Sequence, residues 1–445
     1  MNSRLSAGPV STLILAALLV MLAAAQASAQ TWRSVDDLSE ADKAVFDPST
    51  STPRHAEFPY MPAEIYPFEA PYTVEEMGYR SAEFPHVSRW AGSILDVFGV
   101  ITSTGYINQG ETIFYLMQEP GEGFGAYLYD TPPGEVYTRW MTYDTFPPQS
   151  EGTQQLWVPR RTDKQFRTKM DYFIYSPQLR RVRRQPEPRR DQRFPDNAQT
   201  FDDVMGRDPW EFEWQLLGTD VLDETVRFPN TRPTVTLDFP GVGVSERPSG
   251  DVKMMGDTFP RYTENGGVAC WVVKATAKPD WLPGYSEKYL ILWLEKGSFF
   301  PLRREKYDHE DKLITVEVRF ADYRRPDLGE FGYSSMQTVY WNVANDLISY
   351  SFHDPHHPHN WSDEQVAMIF NAEFMRRDWI VEPLKSDILI DDPEQYYMRP
   401  HVYPGKFPND RNTTLPPTVA ARVNAQNEAG HLVFESSEPI ETAPN

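Results

Sequence analysis

Apolar and polar residues alternate over short stretches along most of the chain. Met170, Tyr172 and Ile174 alternate with Asp171, Phe173 and Tyr175, the period-two mark of a strand with two different faces. Comparable patterns predict strands over 112–117, 126–129, 137–143, 155–159 and 169–175 in the first half. In the second half they predict strands over 268–277, 288–295, 299–307, 313–323, 336–343 and 347–352. The links are short and polar, as in Lys296-Gly297-Ser298 and Asp308 to Lys312. Consecutive strands joined this way form an antiparallel meander. Gly121, Gly123 and Gly125 are followed by no helical pattern, so they read as a hairpin turn and not as a phosphate loop.

Helical periodicity is rarer. Ser362 with Gln365 three residues on makes a capping box, and Val366, Ile369, Phe370 and Phe374 then share one face. Arg376 and Arg377 follow where the helix dipole favours cations. A second helix is predicted within 73–90, interrupted by Pro85. Proline accounts for 39 of 445 residues, well above the ordinary ~5%, and it ends helices and is confined to loops and strand edges. A helical bundle is excluded, and the expected fold is mainly β: a large curved antiparallel sheet with a few lid or flanking helices.

The N-terminus changes the picture. Arg4 is followed by an apolar run from Val10 to Ala25 and by the small residues Ala27-Ser28-Ala29, which together read as a secretory signal cleaved after Ala29. The run, about 16 residues, is short for a hydrocarbon core of ~30 Å, and no Cys follows it directly. The expected organisation is a signal peptide over 1–29, a proline-rich arm over 30–71, a β domain over 72–390 and a polar tail over 391–445. The expected location is the periplasm. Cys270 is the only cysteine, so no internal disulfide forms; inside a strand pattern it reads as core. The net charge of −21 argues against nucleic-acid binding, which needs a positive surface.

The stretch from Arg161 to Arg184, with Asp202-Asp203 and Trp210-Glu211-Phe212-Glu213-Trp214 through Gly218, resembles the bacterial family called domain of unknown function 1329. Trp271 to Thr276, Tyr289 to Leu294 and Arg303 to Asp308 resemble it too, so the similarity spans most of 70–380. The resemblance implies an incomplete antiparallel β-barrel with a helical lid, similar to the LolA/LolB lipoprotein carriers. It implies a carrier or chaperone for a lipid or other hydrophobic cargo. Its implied partners are an inner-membrane transporter of the resistance-nodulation-division (RND) type and an outer-membrane protein. It supplies no catalytic residues and no cofactor.

Within such a fold, Tyr172, Ile174, Trp271, Val273, Leu290, Leu292, Phe320 and Trp341 are the candidates to line an apolar hollow; the alternative is a packed core beneath the sheet. Between Arg160 and Arg193 there are 12 Lys or Arg residues against four acids. Arg180, Arg181, Arg183 and Arg184 are candidates to hold lipid phosphates or an acidic partner. The alternative is that this block pairs with the protein's own carboxylates, Asp202 and Asp203 among them. His353, His356, His357 and His359 raise a metal-dependent enzyme as another alternative, although Pro355 and Pro358 splay them and no usual ligand spacing is present. A further alternative is a non-enzymatic periplasmic adaptor without cargo. Neither G-x-S-x-G nor H-E-x-x-H occurs, nor does a Walker loop.

Overall fold

The computed structural model describes residues 32–47, 49, 52–62, 70–83, 90–103, 107–118, 131–195, 197–222, 234–239, 243–248, 268–296, 299–323, 333–353, 357–358, 366–367, 369–373 and 375. Two meanders joined side by side make one antiparallel sheet. The first begins at its centre with β2 (Trp90–Ile101) after a short β1 (Arg33–Ser34). It steps outward through β3 (Ile107–Gln118), β4 (Thr138–Phe146), β5 (Gln154–Pro159), β6 (Met170–Ser176) and β7 (Arg181–Gln185). The chain then crosses to the opposite edge, where β8 (Phe212–Leu222) starts the return.

A separate pair, β9 (Thr234–Phe239) and β10 (Gly243–Pro248), follows β8. The second meander runs through β11 (Val268–Ala277), β12 (Tyr289–Glu295), β13 (Pro301–Tyr307), β14 (Leu313–Tyr323), β15 (Tyr333–Asn342) and β16 (Leu347–His353). β16 pairs with β2 and so joins the two halves, and β17 (His357–Pro358) also pairs with β2. The sheet is open, with β1 at one edge and β7 at the other.

Local chemistry explains the connections. In the β13–β14 turn, Asp308 Oδ1 accepts the N–H groups of Glu310 and Lys312, both at 2.9 Å, and Asp311 takes a left-handed φ of 61°. Helix α1 (Glu40–Val45) is capped by Ser39, whose Oγ accepts the Asp42 N–H at 3.1 Å. Helix α2 (Val74–Glu83) has a capping box: Thr73 Oγ1 accepts from the Glu76 N–H, and Glu76 Oε2 accepts from the Thr73 N–H. Helix α3 (Phe201–Met205) lies in the β7–β8 crossover, where the Thr200 N–H donates to Asp203 Oδ2 at 2.8 Å.

Strands β3–β6 and β11–β16 fall where the alternation places them, within a few residues at each end. The strand expected over 126–129 lies outside the described residues, as do residues 1–31. The predicted helix within 73–90 is α2. Of the later one, Val366, Ile369 and Phe370 are buried against β4, β5 and β6 with Met375, while 362–365 and Phe374 lie outside the described residues. Of the 30–71 stretch, Leu38, Phe46 and Met61 are buried core residues. No described helix is long and apolar enough to cross a membrane.

Candidate functional site

Cross-strand pairing sorts the side chains onto two faces, because opposed residues share a face. On the first face Val273 opposes Leu292, Leu292 opposes Arg304, Arg304 opposes Glu317, and Glu317 opposes Tyr340. One position along, Val272 opposes Trp293 on the second face, where Val318 opposes Val339 and Trp341 opposes Ile348.

The first face is apolar at both ends and charged in the middle. At the β8–β11–β12 end, Trp271, Val273, Leu290 and Leu292 are brought together and buried. The space in front of them is filled by Leu38, Phe46, Met61, Tyr72, Met77 and Tyr79. At the far end Tyr172 packs with Trp157, Phe194 and Phe201. Its hydroxyl donates to Gln155 Oε1 at 2.5 Å, and burial pushes its pKa up to about 12. Ile174, half-buried, opposes Gln155 and Arg183. Trp341 is buried on the second face, and the Phe320 side chain lies outside the described residues. The eight expected lining residues are therefore not gathered around one hollow.

Between the two apolar ends, the β7–β8 crossover is fastened across the sheet by buried ion pairs. Arg190 Nε meets Asp202 Oδ1 at 2.7 Å, and its Nη1 meets Glu211 Oε1 at 2.5 Å. Arg207 bridges Asp203 at 3.0 Å and Glu287 at 2.7 Å. Lys306 on β13 contacts Asp203 and lies 3.4 Å from Glu287. Lys169 on the β5–β6 side meets Asp208 at 2.5 Å, and Glu317 accepts from both Arg304 and Arg319. Tyr285 donates its hydroxyl to Asp202 Oδ2 at 2.7 Å.

Burial alone raises a carboxyl pKa, but facing cations reverse the sign. Desolvation pushes Asp203 up, and Lys306 and Arg207 outweigh it, holding the carboxyl well below the usual range. The same contest leaves Asp208 low beside Lys169 and Glu317 low beside Arg304. For Glu211 burial wins, helped by the neighbouring Asp208, and its pKa is raised against the pull of Arg190. Each member meets at least one oppositely charged side chain, so the network is suited to clamping.

The basic block divides accordingly. Arg161 is fully buried, its guanidinium 4.3 Å from the Phe58 ring centroid and donating to the Thr131 carbonyl at 2.6 Å. Asp202 and Asp203 pair with Arg190, Arg207 and Lys306. Arg180, Arg181, Arg183 and Arg184 are exposed on or beside the edge strand β7, and among the described residues only Arg184 of these meets a carboxylate, Asp171, at 2.5 Å.

The second face is apolar and buried. Val316, Val318, Val339, Trp341 and Ile348 form one patch across β14, β15 and β16, and Val272, Ile291 and Trp293 form another on β11 and β12. Between them lies the Arg303–Glu305 pair at 2.5 Å. Arg303 sits 5.3 Å from the Trp293 ring centroid, and its Nη1 is buried without a hydrogen-bond partner among the described residues. Apart from Trp341, none of these positions is among the eight expected lining residues. Their signal was the other half of the same alternation.

A cavity of 540 Å³ opens between the ends of β2 and β3, at Val100 and Asn108, and the crossover at Arg193, Phe194 and Asn197. Its walls mix amides with apolar groups. Among the described residues no three His, Cys, Asp or Glu side chains gather to hold a metal. The backbones of His353 and His357 lie in β16 and β17, and His356 and His359 lie outside the described residues.

Fold and site together define a mainly β protein built on one open antiparallel sheet, clamped on one face by its own crossover and carrying two apolar patches on the other. The chain belongs to the family described as "Protein of unknown function (DUF1329)", whose model matches residues 126–367. A search of curated proteins finds no match. Among solved structures, the chain is similar to a Vibrio parahaemolyticus domain described by name as outer membrane lipoprotein-sorting. The identity is 12% and the TM-score 0.45, covering 68% of this chain and 98% of that one. A DUF1329 family protein from Desulfovibrio piger gives 12% identity and a TM-score of 0.41 over 64% of this chain and 90% of its own. A LolA superfamily protein from Nitrosomonas europaea gives 10% and 0.35 over 64% and 93%.

Proposed function

We propose that the protein is a periplasmic carrier or chaperone for a lipid or other hydrophobic cargo, exported with cleavage after Ala29, and that the cargo is taken up on the second face of the sheet. One observation carries the reading: the chain fills and clamps one face with its own charged crossover, and keeps two apolar patches on the opposite face, on β11–β12 and on β14–β16, either side of the Arg303–Glu305 pair. Burying acyl methylenes is favourable by about 0.8 kcal/mol each, so twelve give roughly 10 kcal/mol before ordering costs. That is enough for useful affinity without directional contacts. Arg303 Nη1 supplies the polar group that orients a cargo's anionic head, as one or two polar groups do in mostly apolar sites.

Because Val316, Val318 and Val339 are fully buried in this state, loading requires this patch to become exposed. An inner-membrane transporter of the RND type and an outer-membrane recipient are the proposed partners. Native mass spectrometry and organic extraction of the purified protein test the reading. Co-purifying lipid, with a Val318→Trp variant retaining less of it, is the expected result. A protein empty of lipid, and unable to take up a fluorescent fatty acid, overturns it. That result leaves the adaptor reading, which the filled first face favours.

A further inference from the structure

Four large apolar side chains are exposed among the described residues: Phe146, Phe166, Leu179 and Val221. Two of them stand on neighbouring turns at one end of the sheet. Phe146, 43% exposed, enters the β4–β5 turn, and Leu179, 54% exposed, tips the β6–β7 turn. The two turns are tied together, since Gln178 Nε2 donates to the Gln149 carbonyl at 2.9 Å. Ser176 Oγ donates to Gln178 Oε1 at 2.9 Å and accepts from the Leu179 N–H at 3.4 Å. Arg180 then takes a φ of 49°, a left-handed conformation uncommon outside glycine. The turn is thus a held shape that points a leucine outward.

Charge is concentrated at the same place. From Pro177 to Gln185 there are four arginines and no acid, in a chain of net charge −21. Arg180, Arg181 and Arg183 have no carboxylate partner among the described residues, and Arg184, 69% exposed, shares Asp171 with Arg160. Glu151 on the β4–β5 turn is the one acid of these two turns, and acids farther off than a Debye length of about 8 Å are screened. Guanidinium forks match phosphate bidentately.

We propose that this end of the sheet docks on an anionic lipid surface, with Leu179 and Phe146 entering the interfacial layer and Arg180, Arg181 and Arg183 holding lipid phosphates. An acidic polypeptide is the competing occupant. The apolar groups stand on turn tips and not along a groove, which suits a flat surface better than a peptide. The inference rests on surface residues alone and goes beyond cargo carriage, since docking needs no cargo.

The test is co-sedimentation of the chain from Gln30 onward, which holds every described residue, with phosphatidylglycerol-containing or pure phosphatidylcholine vesicles. Binding is expected only to the former, and weaker on going from about 0.05 M to about 0.15 M salt. Arg180→Gln, Arg181→Gln and Arg183→Gln together should weaken it roughly a hundredfold, at about fivefold per cation. Leu179→Ser with Phe146→Ser should weaken it further while circular dichroism stays unchanged. No sedimentation at low salt, equal sedimentation of the triple variant, or poly-glutamate binding as tight as vesicle binding and indifferent to Leu179→Ser each overturns the proposal.

Discussion

Lys306 on β13 and Asp203 on α3 form an ion pair across the sheet with side chains 1% and 0% exposed. Two such charges in a low-dielectric interior cost much desolvation, which their attraction and further hydrogen bonds offset. Losing either partner strands the other. Lys306→Met or Asp203→Leu alone is expected to cost about 3–5 kcal/mol, and the double substitution much less than the sum. Urea unfolding of the four proteins in the cycle measures this. An additive double variant would show that the pair is not the clamp.

Leu292 and Met61 belong to one buried cluster although the sequence assigns them to a β domain and a proline-rich arm. Leu292→Ala and Met61→Ala should each cost about 2–5 kcal/mol, as large-to-small core changes do. Neither should change the amount of co-purifying lipid, because the space before Leu292 is already filled by protein. Denaturation midpoints and lipid content, measured on the same samples, decide the point. Lipid loss in Leu292→Ala at unchanged stability would return the cargo to the first face.

Most strands were legible because period two survives in a half-buried sheet: Met170 to Tyr175 and Leu313 to Tyr323 needed nothing else. Strand β2, with Gly92 and Gly99 interrupting its alternation, and β7, with its arginines, carry weaker marks. The site was less legible for a specific reason. Alternation says that Trp271 and Val272 point opposite ways, but not which face the rest of the chain will cover. The answer lay in pairs such as Lys306–Asp203 and Arg207–Glu287, separated by 103 and 80 residues. No local spacing reveals them. The acid pair Asp202-Asp203 and its pairing with the basic block, which Arg190 makes, were visible in the sequence, while the partners Arg207 and Lys306 were not.

Gly78 on α2 lies against the Trp214 ring, where an added Cβ would come within 2.2 Å of ring carbon. Helix propensity alone favours Ala over Gly by about 1 kcal/mol. The clash is the larger effect, because Trp214 is packed against the core and its indole N–H is fixed on the Pro209 carbonyl at 2.9 Å. Gly78→Ala should therefore destabilise, by about 1–3 kcal/mol as overpacking does. A raised melting temperature in this variant would mean that α2 moves away from β8 at little cost.

Asp144 on β4 provides a test of opposite sign to Asp203. Burial raises its pKa to about 6, and the opposed Thr112 hydroxyl offsets this only in part. Its unfolded value is about 3.9, so the folded state holds the proton more tightly. Its contribution to stability is therefore complete below about pH 4 and is lost as pH rises through about 6. The difference of about two units corresponds to roughly 3 kcal/mol. Asp203, with its pKa lowered by Lys306 and Arg207, behaves in reverse: its contribution is present above about pH 4 and is lost as pH falls. Asp144→Asn should accordingly stabilise the protein at pH 8 by up to about 3 kcal/mol and do little at pH 4. Urea midpoints at acid, intermediate and alkaline pH give the comparison, and a gap that does not change with pH would rule out Asp144 as its source.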